Sequence, residues 1–318
     1  MAKAVLKRIL QIIPTLLVVV TVTFFITRLL PGDPVSAMVT DSANQELMDR
    51  LREEMGLNEP YWKQYINYLG DMLSGNFGDS YYYNRPAMEI IAERLPNTLA
   101  ISLTSLVFAA IIGLVLGITA ALRQYSWLDY VITVITLVGV SVPIFWVALM
   151  LVLLFNVNLG ILPSFGMGSI QNGLWDVISH MILPCFCLGI GPAATITRMT
   201  RASVIEALNN DSITALRARG IRKGLITWKH ALKNALPPII TVFGMQLAGI
   251  FSGAMLTENV FAWPGMGTMI YNAITTRDYS LIQSTVVVTG IAFVAINLLT
   301  DLIYMVINPK VSVLKEGK

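Results

Sequence analysis

Charge is what this chain has least of. Only 13% of its 318 residues are Asp, Glu, Lys or Arg, about half the share of an ordinary soluble domain. Histidine and cysteine are rarer, with two of each. Two cysteines cannot build a disulfide scaffold, and the glycines and prolines follow no period, which removes collagen. Catalytic signatures are missing as well. There is no G-x-x-x-x-G-K-[ST] phosphate loop, no H-E-x-x-H and no G-x-S-x-G. No catalytic residue and no metal site are therefore expected, and nothing suggests that the chain hydrolyses ATP itself. What fills the space is apolar: 55% of residues are hydrophobic and the mean hydropathy is +0.67. A soluble fold of this size cannot bury that much apolar side chain, so the sequence reads as an all-α integral membrane protein.

A membrane helix needs about 20 mostly apolar residues, because a charge at mid-bilayer costs roughly 2.5–3.5 kcal/mol. Windows free of charge fall at 9–27, 95–122, 130–175, 177–197, 234–257 and 279–300. The longest holds one span only, since its second half is dense in Asn, Gly, Pro and Ser from Asn156 to Gly173, which is loop chemistry. Six helices follow, at about 9–29, 97–121, 130–156, 178–199, 236–257 and 281–306. With the N-terminus inside, the inner segments hold 15 basic and 5 acidic residues and the outer ones 7 and 14. That bias places both termini on the cytoplasmic side of the membrane. The first helix resembles a secretory signal, but its apolar run is too long and no small-x-small cleavage site follows, so it is expected to be retained.

The outer segment 30–94 is acidic: residues 30–96 contain 11 acids and 5 basic residues. Tyr61, Trp62, Tyr65, Tyr68 and Leu69 form an amphipathic stripe after Pro60. This segment reads either as a cap on the helices or as a docking surface, with Tyr81, Tyr82 and Tyr83 suited to an interface. On the inner side, the loop 199–236 combines Asp211 as a helix N-cap, a short helix through Arg219, and Gly220 as its stop. Ile213 and Leu216 share a face. Leu225, Trp228, Leu232 and Leu236 make one apolar stripe on the helix that follows. Such a loop either lies on anionic lipid or presents a compact knob, and the cap-helix-stop arrangement favours the knob. In the fifth helix, Gly244, Gly249, Ser252, Gly253 and Thr257 run along its length. Small residues of this kind either let helices approach closely or line open volume, with Met245, Met255 and Leu256 as gate material. Glu258 either lines the outer end of a path or anchors the loop after it. His180 and His230 are lone helix-end residues, and Cys185 and Cys187, two apart, point to different faces and read as packing residues.

Motifs through nearly the whole chain carry a resemblance. They include Leu29-Leu30-Pro31-Gly32-Asp33-Pro34, Gly75-Asn76-Phe77-Gly78-Asp79-Ser80, Ser141-Val142-Pro143-Ile144-Phe145-Trp146, Thr200-Arg201-Ala202-Ser203, Glu258-Asn259-Val260-Phe261-Ala262-Trp263-Pro264-Gly265, Arg277-Asp278-Tyr279 and Asn308-Pro309. In this order the chain resembles the inner-membrane permease subunits of peptide and nickel ABC importers. The resemblance implies a six-helix type I importer fold, with a transmembrane domain at 95–306, a first helix at 1–29 and a tail at 307–318. It implies a homologous second permease, two ATPase subunits that use ATP and Mg, an extracytoplasmic solute-binding protein and surrounding lipid, with no cofactor on this chain and no nucleic acid. The inner loop matches the family's ATPase-coupling motif, departing from it at Leu216 and Gly224. Glu206, Asp211, Ile213, Leu216, Arg217, Arg219 and Gly220 are expected to carry coupling, with Ile213 and Leu216 inserted into an ATPase groove. Ser252, Gly253, Thr257 and Glu258 are expected on the path between the third, fourth and fifth helices of two permeases. The cargo stays open among dipeptides, oligopeptides, nickel or a metal chelate, and glutathione. A stand-alone channel or secondary transporter is the rival class, but it has no use for a capped basic knob and would show an internal repeat.

Overall fold

A computed structural model describes residues 2–29, 35 and 45–307, with backbone alone for 2–12, 301 and 304–307. The Leu30–Pro34 and Asn308-Pro309 motifs, the Asp301 side chain and nearly all of the 307–318 tail lie outside the described residues. The fold is helical. Among the described residues the only strands are β1 (Asp79–Ser80) and β2 (Arg85–Pro86), an antiparallel pair in which Asp79 faces Pro86 and Ser80 faces Arg85.

The six expected segments are all helical. They are α1 (Ala2–Leu29), α4 (Ala87–Leu122), the pair α5 (Trp127–Ser141) and α6 (Ile144–Leu151), α7 (Leu174–Leu208), α9 (Lys223–Val260) and α11 (Tyr279–Ile307). Shorter helices are α2 (Gln45–Glu54), α3 (Tyr61–Leu73), α8 (Asp211–Ala218) and α10 (Met266–Thr275). Among the described residues α4, α7, α9 and Tyr279–Thr300 of α11 are each long and apolar enough to cross a membrane.

One expectation needs correction. The third helix, 130–156, is not one straight span. It bends by 100° between α5 and α6. Pro143 has no N–H to give and forces Val142 into an extended conformation (φ −79°, ψ 130°), so the first helix stops and Pro143 caps the next. A π-helical turn, Val152–Asn158, carries α6 to the loop. Much of the inner segment 199–236 is itself helical. α7 runs on to Leu208 and α9 starts at Lys223, leaving 209–222, because Arg198 and Arg201 end the charge-free window without ending the helix.

Residues 98–263 and 295–307 form one compact unit. Close helix approach at glycine sets its packing. A Cβ on Gly113 would lie 2.5 Å from Ile196 Cγ2, on Gly117 2.6 Å from Thr200 Cβ, and on Gly189 2.6 Å from Phe108 Cδ1, so α4 and α7 touch almost backbone to backbone. Cys185 packs with Ile101, Leu188, Ile250, Ala254 and Trp263, and Cys187 with Ala148, Val152, Leu183 and Phe261. Both thiols are free and buried. Among the described residues no three His, Cys, Asp or Glu side chains gather to hold a metal.

The described residues of 1–97, together with 264–294, form the other unit. Here α3 packs on α1. Tyr65 Oη meets Thr21 Oγ1 at 2.6 Å, Phe24 stacks on Tyr68 with centroids 5.6 Å apart, and Phe25 lies over Tyr65 at 5.9 Å. Arg28 donates from Nε to Gln64 Oε1 at 3.0 Å, and its guanidinium sits over Phe24 at 4.7 Å and Tyr279 at 5.3 Å. Tyr65 and Tyr68 thus pack as the stripe predicts, whereas Tyr61 and Trp62 turn outward and Leu69 is half-buried. The β1–β2 turn is tied to α11 through Asp278. Asp278 Oδ2 accepts from Ser80 Oγ (2.5 Å) and Tyr82 N (3.2 Å), while Oδ1 accepts from Leu281 N (3.1 Å) in the first turn of α11.

Candidate functional site

The inner knob is built by local chemistry. The N-cap of α8 is Asn210 rather than Asp211. Its Oδ1 accepts from Ser212 N at 3.0 Å and Ser212 Oγ at 2.8 Å. Asp211 occupies the first helical position, where its carboxylate suits the positive end of the helix dipole. The stop is at Gly220, which adopts φ 75°. Gly220 N bonds Arg217 O and Ile221 N bonds Leu216 O, the paired arrangement that closes a helix on a left-handed glycine. Arg217 Nη2 donates to Leu208 O at 3.2 Å and so joins α8 to the end of α7.

Ile213 does not point outward. It is 1% exposed, packed with Ala121, Val204, Ala207, Ile226, Ala231, Ala235 and Ile239 of its own chain, and Leu216 and Ile221 cover the same group. Ile213 is therefore not available at the surface of the knob for insertion into another subunit, and Leu216 is half-buried against the same group. Glu206, Asp211, Ser212, Thr214, Ala215, Arg217, Ala218 and Arg219 remain exposed. The apolar stripe proposed for the next helix is also displaced. Ile226, Ala231, Ala235 and Ile239 face inward, spaced five, four and four. The spacing of five falls across a π-helical turn, Ile226–Ala231, which rotates the face and turns out Leu225 (51% exposed) and Trp228 (63% exposed). Spacing rules built on 3.6 residues per turn miss such a turn, and nothing in the local sequence marks it.

The knob is braced from α5. Arg201 donates to Asp129 twice, Nε to Oδ1 at 2.6 Å and Nη2 to Oδ2 at 2.7 Å, and Tyr125 N adds a third bond at 3.0 Å. Ser126 caps α5 by accepting from Asp129 N. This carboxylate–guanidinium fork holds the end of α7, from which α8 hangs.

In α9 the small residues divide into two sets. Gly244 is a packing residue: a Cβ there would lie 1.7 Å from Thr300 Cγ2. Thr257 and Glu258 are buried too. Glu258 is 0% exposed and accepts from Thr98 Oγ1 at 2.7 Å, which removes both from the surface that a passing solute could touch. Burying a carboxylate this fully demands donors on both oxygens, so it serves to hold α4 against α9. Met245, Gly249, Ser252, Gly253 and Leu256 instead share one exposed face, and a Cβ at Gly249 or Gly253 would meet nothing within 4 Å.

Comparison with known proteins agrees with this architecture. Residues 113–313 match the profile described as binding-protein-dependent transport system inner membrane component, and residues 1–104 match the N-terminal region of the same membrane component. The dipeptide transport system permease protein DppB of Alkalihalophilus pseudofirmus is 42% identical over 96% of this chain and 98% of its own. The oligopeptide transport system permease protein AppB of Bacillus subtilis is 36% identical over 98% and 99%. The glutathione transport system permease protein GsiC of Escherichia coli K12 is 35% identical over the same shares. Among solved structures, an inward-facing MetNI methionine ABC transporter superposes with a TM-score of 0.56 at 21% identity, covering 70% of this chain and 98% of that one, which supports the shared fold. With both profiles matched in order and relatives aligned from end to end, the chain belongs to the family of binding-protein-dependent transport system inner membrane components.

Proposed function

We propose that this chain is one of two permease subunits in an ATP-driven importer of short peptides. The observation that carries the cargo is the 42% identity, over nearly the full length, to a dipeptide permease. Two ATPase subunits use ATP and Mg at the inner face, this chain binds no cofactor, and a solute-binding protein delivers cargo at the outer face. Both termini lie in the cytoplasm, as the basic inner segments imply. The ATPase docks on the exposed face of α8, with Thr214, Ala218 and Arg219, and on the outward Leu225 and Trp228. Buried Ile213 keeps that surface in place. Cargo passes along Gly249, Ser252 and Gly253 of α9, opposite the second permease. Outside, the acidic α2, whose side chains are all at least partly exposed, steers the binding protein by charge.

Reconstituted vesicles holding the complete importer should take up a labelled dipeptide when ATP and binding protein are supplied. Uptake of glutathione or Ni²⁺ in place of the dipeptide would reassign the cargo. Arg219→Glu with Trp228→Ala should release the ATPases while leaving thermal stability of the chain unchanged. Ile213→Asp should lower the stability itself. An unaltered ATPase yield from the first variant would sink the docking face.

A further inference from the structure

α3 displays three faces at about 120° to one another. Gln64, Tyr65 and Tyr68 pack against α1. Lys63, Asn67 and Asp71 form a polar edge. The third face is apolar and uncovered: Trp62 is 64% exposed, Ile66 58% and Leu73 90%, with Leu69 between them. A helix standing in open water gains nothing from keeping such a face uncovered.

The packing on α1 says at what depth this face lies. The apolar run of α1, residues 9–27, is 19 residues long, or about 28 Å of helix, against a hydrocarbon core of about 30 Å. No part of that run is left over to stand in water. Yet α3 does not sit on top of α1. The rings of Tyr65 and Tyr68 lie beside Phe24, Phe25 and Thr21, three to seven residues before Arg28, or roughly 5–10 Å down the helix. The hydroxyls of Thr21 and Tyr65 bond each other, as two polar groups do where water is scarce. The same end of α1 also keeps apolar residues exposed: Val22, Phe25, Ile26 and Leu29.

We infer that α3 is an interfacial helix, lying against α1 in the lipid leaflet at the C-terminal end of α1, with Trp62, Ile66, Leu69 and Leu73 in contact with lipid. The proposed orientation of the chain makes this the outer leaflet; the depth itself does not depend on cargo or coupling. Aromatic residues at such a boundary place their rings at headgroup level and their aliphatic neighbours below it. The helix thereby fixes the start of the acidic segment at the membrane surface.

Nitroxide accessibility in the assembled importer tests this. Single cysteines at Trp62, Ile66, Asn67, Asp71 and Leu73 are labelled in the full chain; Cys185 and Cys187 are buried, and the unsubstituted chain serves as the blank. The complex is reconstituted in phosphatidylethanolamine–phosphatidylglycerol vesicles. The ratio of oxygen to nickel-chelate accessibility should be several-fold higher at 62, 66 and 73 than at 67 and 71. Water-like ratios at all five positions would overturn the inference. So would shielding of 62, 66 and 73 from both reagents, the sign of contact with another subunit. Water-like ratios that become shielded only when binding protein is added would make this face a docking surface instead. Loss of dipeptide uptake with the lipid-like ratios intact would remove the cargo assignment and leave the interfacial helix standing.

Discussion

Arg201 grips Asp129 through two parallel hydrogen bonds across 72 residues of sequence, and the Asp129 side chain is almost wholly buried by that contact. The fork joins the start of α5 to the end of α7 and so orients the knob that follows. Removing one partner of a buried pair strands the other charge, at a cost of about 3–5 kcal/mol. Asp129→Asn should therefore lower thermal stability clearly and reduce uptake. Arg201→Lys should do nearly as much, because an ammonium cannot form the fork. Fluorescence-detected melting of the solubilised complex reads both; a melting point within one degree of wild type for either variant refutes the brace.

Gly244 and Gly253 sit nine residues apart on one helix and should answer the same substitution in opposite ways. Gly244→Ala drives a methyl into Thr300, an overpacking worth about 1–3 kcal/mol of lost stability. Adding Thr300→Gly should recover much of it, since every atom in the way belongs to that side chain. Gly253→Ala meets open space and should leave the fold as stable or raise it by up to about 1 kcal/mol through helix propensity. A drop in dipeptide uptake by Gly253→Ala with melting unchanged supports its place on the path.

Asp278 is the acceptor for three donors from two elements. Asp278→Ala orphans Ser80 Oγ and the Tyr82 N–H and uncaps α11, with an expected loss of about 1–3 kcal/mol. The β1–β2 turn, held at Asn84 with φ 50°, should then become a protease site. Limited proteolysis from the outer side should cut between Tyr81 and Arg85 faster in Asp278→Ala than in wild type. Asp278→Asn, which keeps one acceptor oxygen, should fall between the two.

Much of this protein could be read from its order of residues, and the rest could not, for one physical reason. The scarcity of charge marked six segments, and each is helical. Asn156 to Gly173 announced a loop, and Gly220 ended α8 because only glycine takes φ 75° without strain. Those are local properties, decided within a few residues of chain. Which apolar side chain faces inward is not local. Lipid is as apolar as a protein core, so burial and lipid exposure look alike in a membrane sequence. Ile213 and Trp228 are equally good candidates for a docking surface until Ile213 meets Ala121 and Ile239 and a π-helical turn swings Trp228 away. Gly244 and Gly253 are the same letter, and only Thr300 beside one of them makes the first a contact and leaves the second open. Asp129 and Arg201 sit in different helices with nothing between them to suggest a bond. Tertiary packing made those choices, because it alone brings distant residues within the few ångströms over which sterics and hydrogen bonds act.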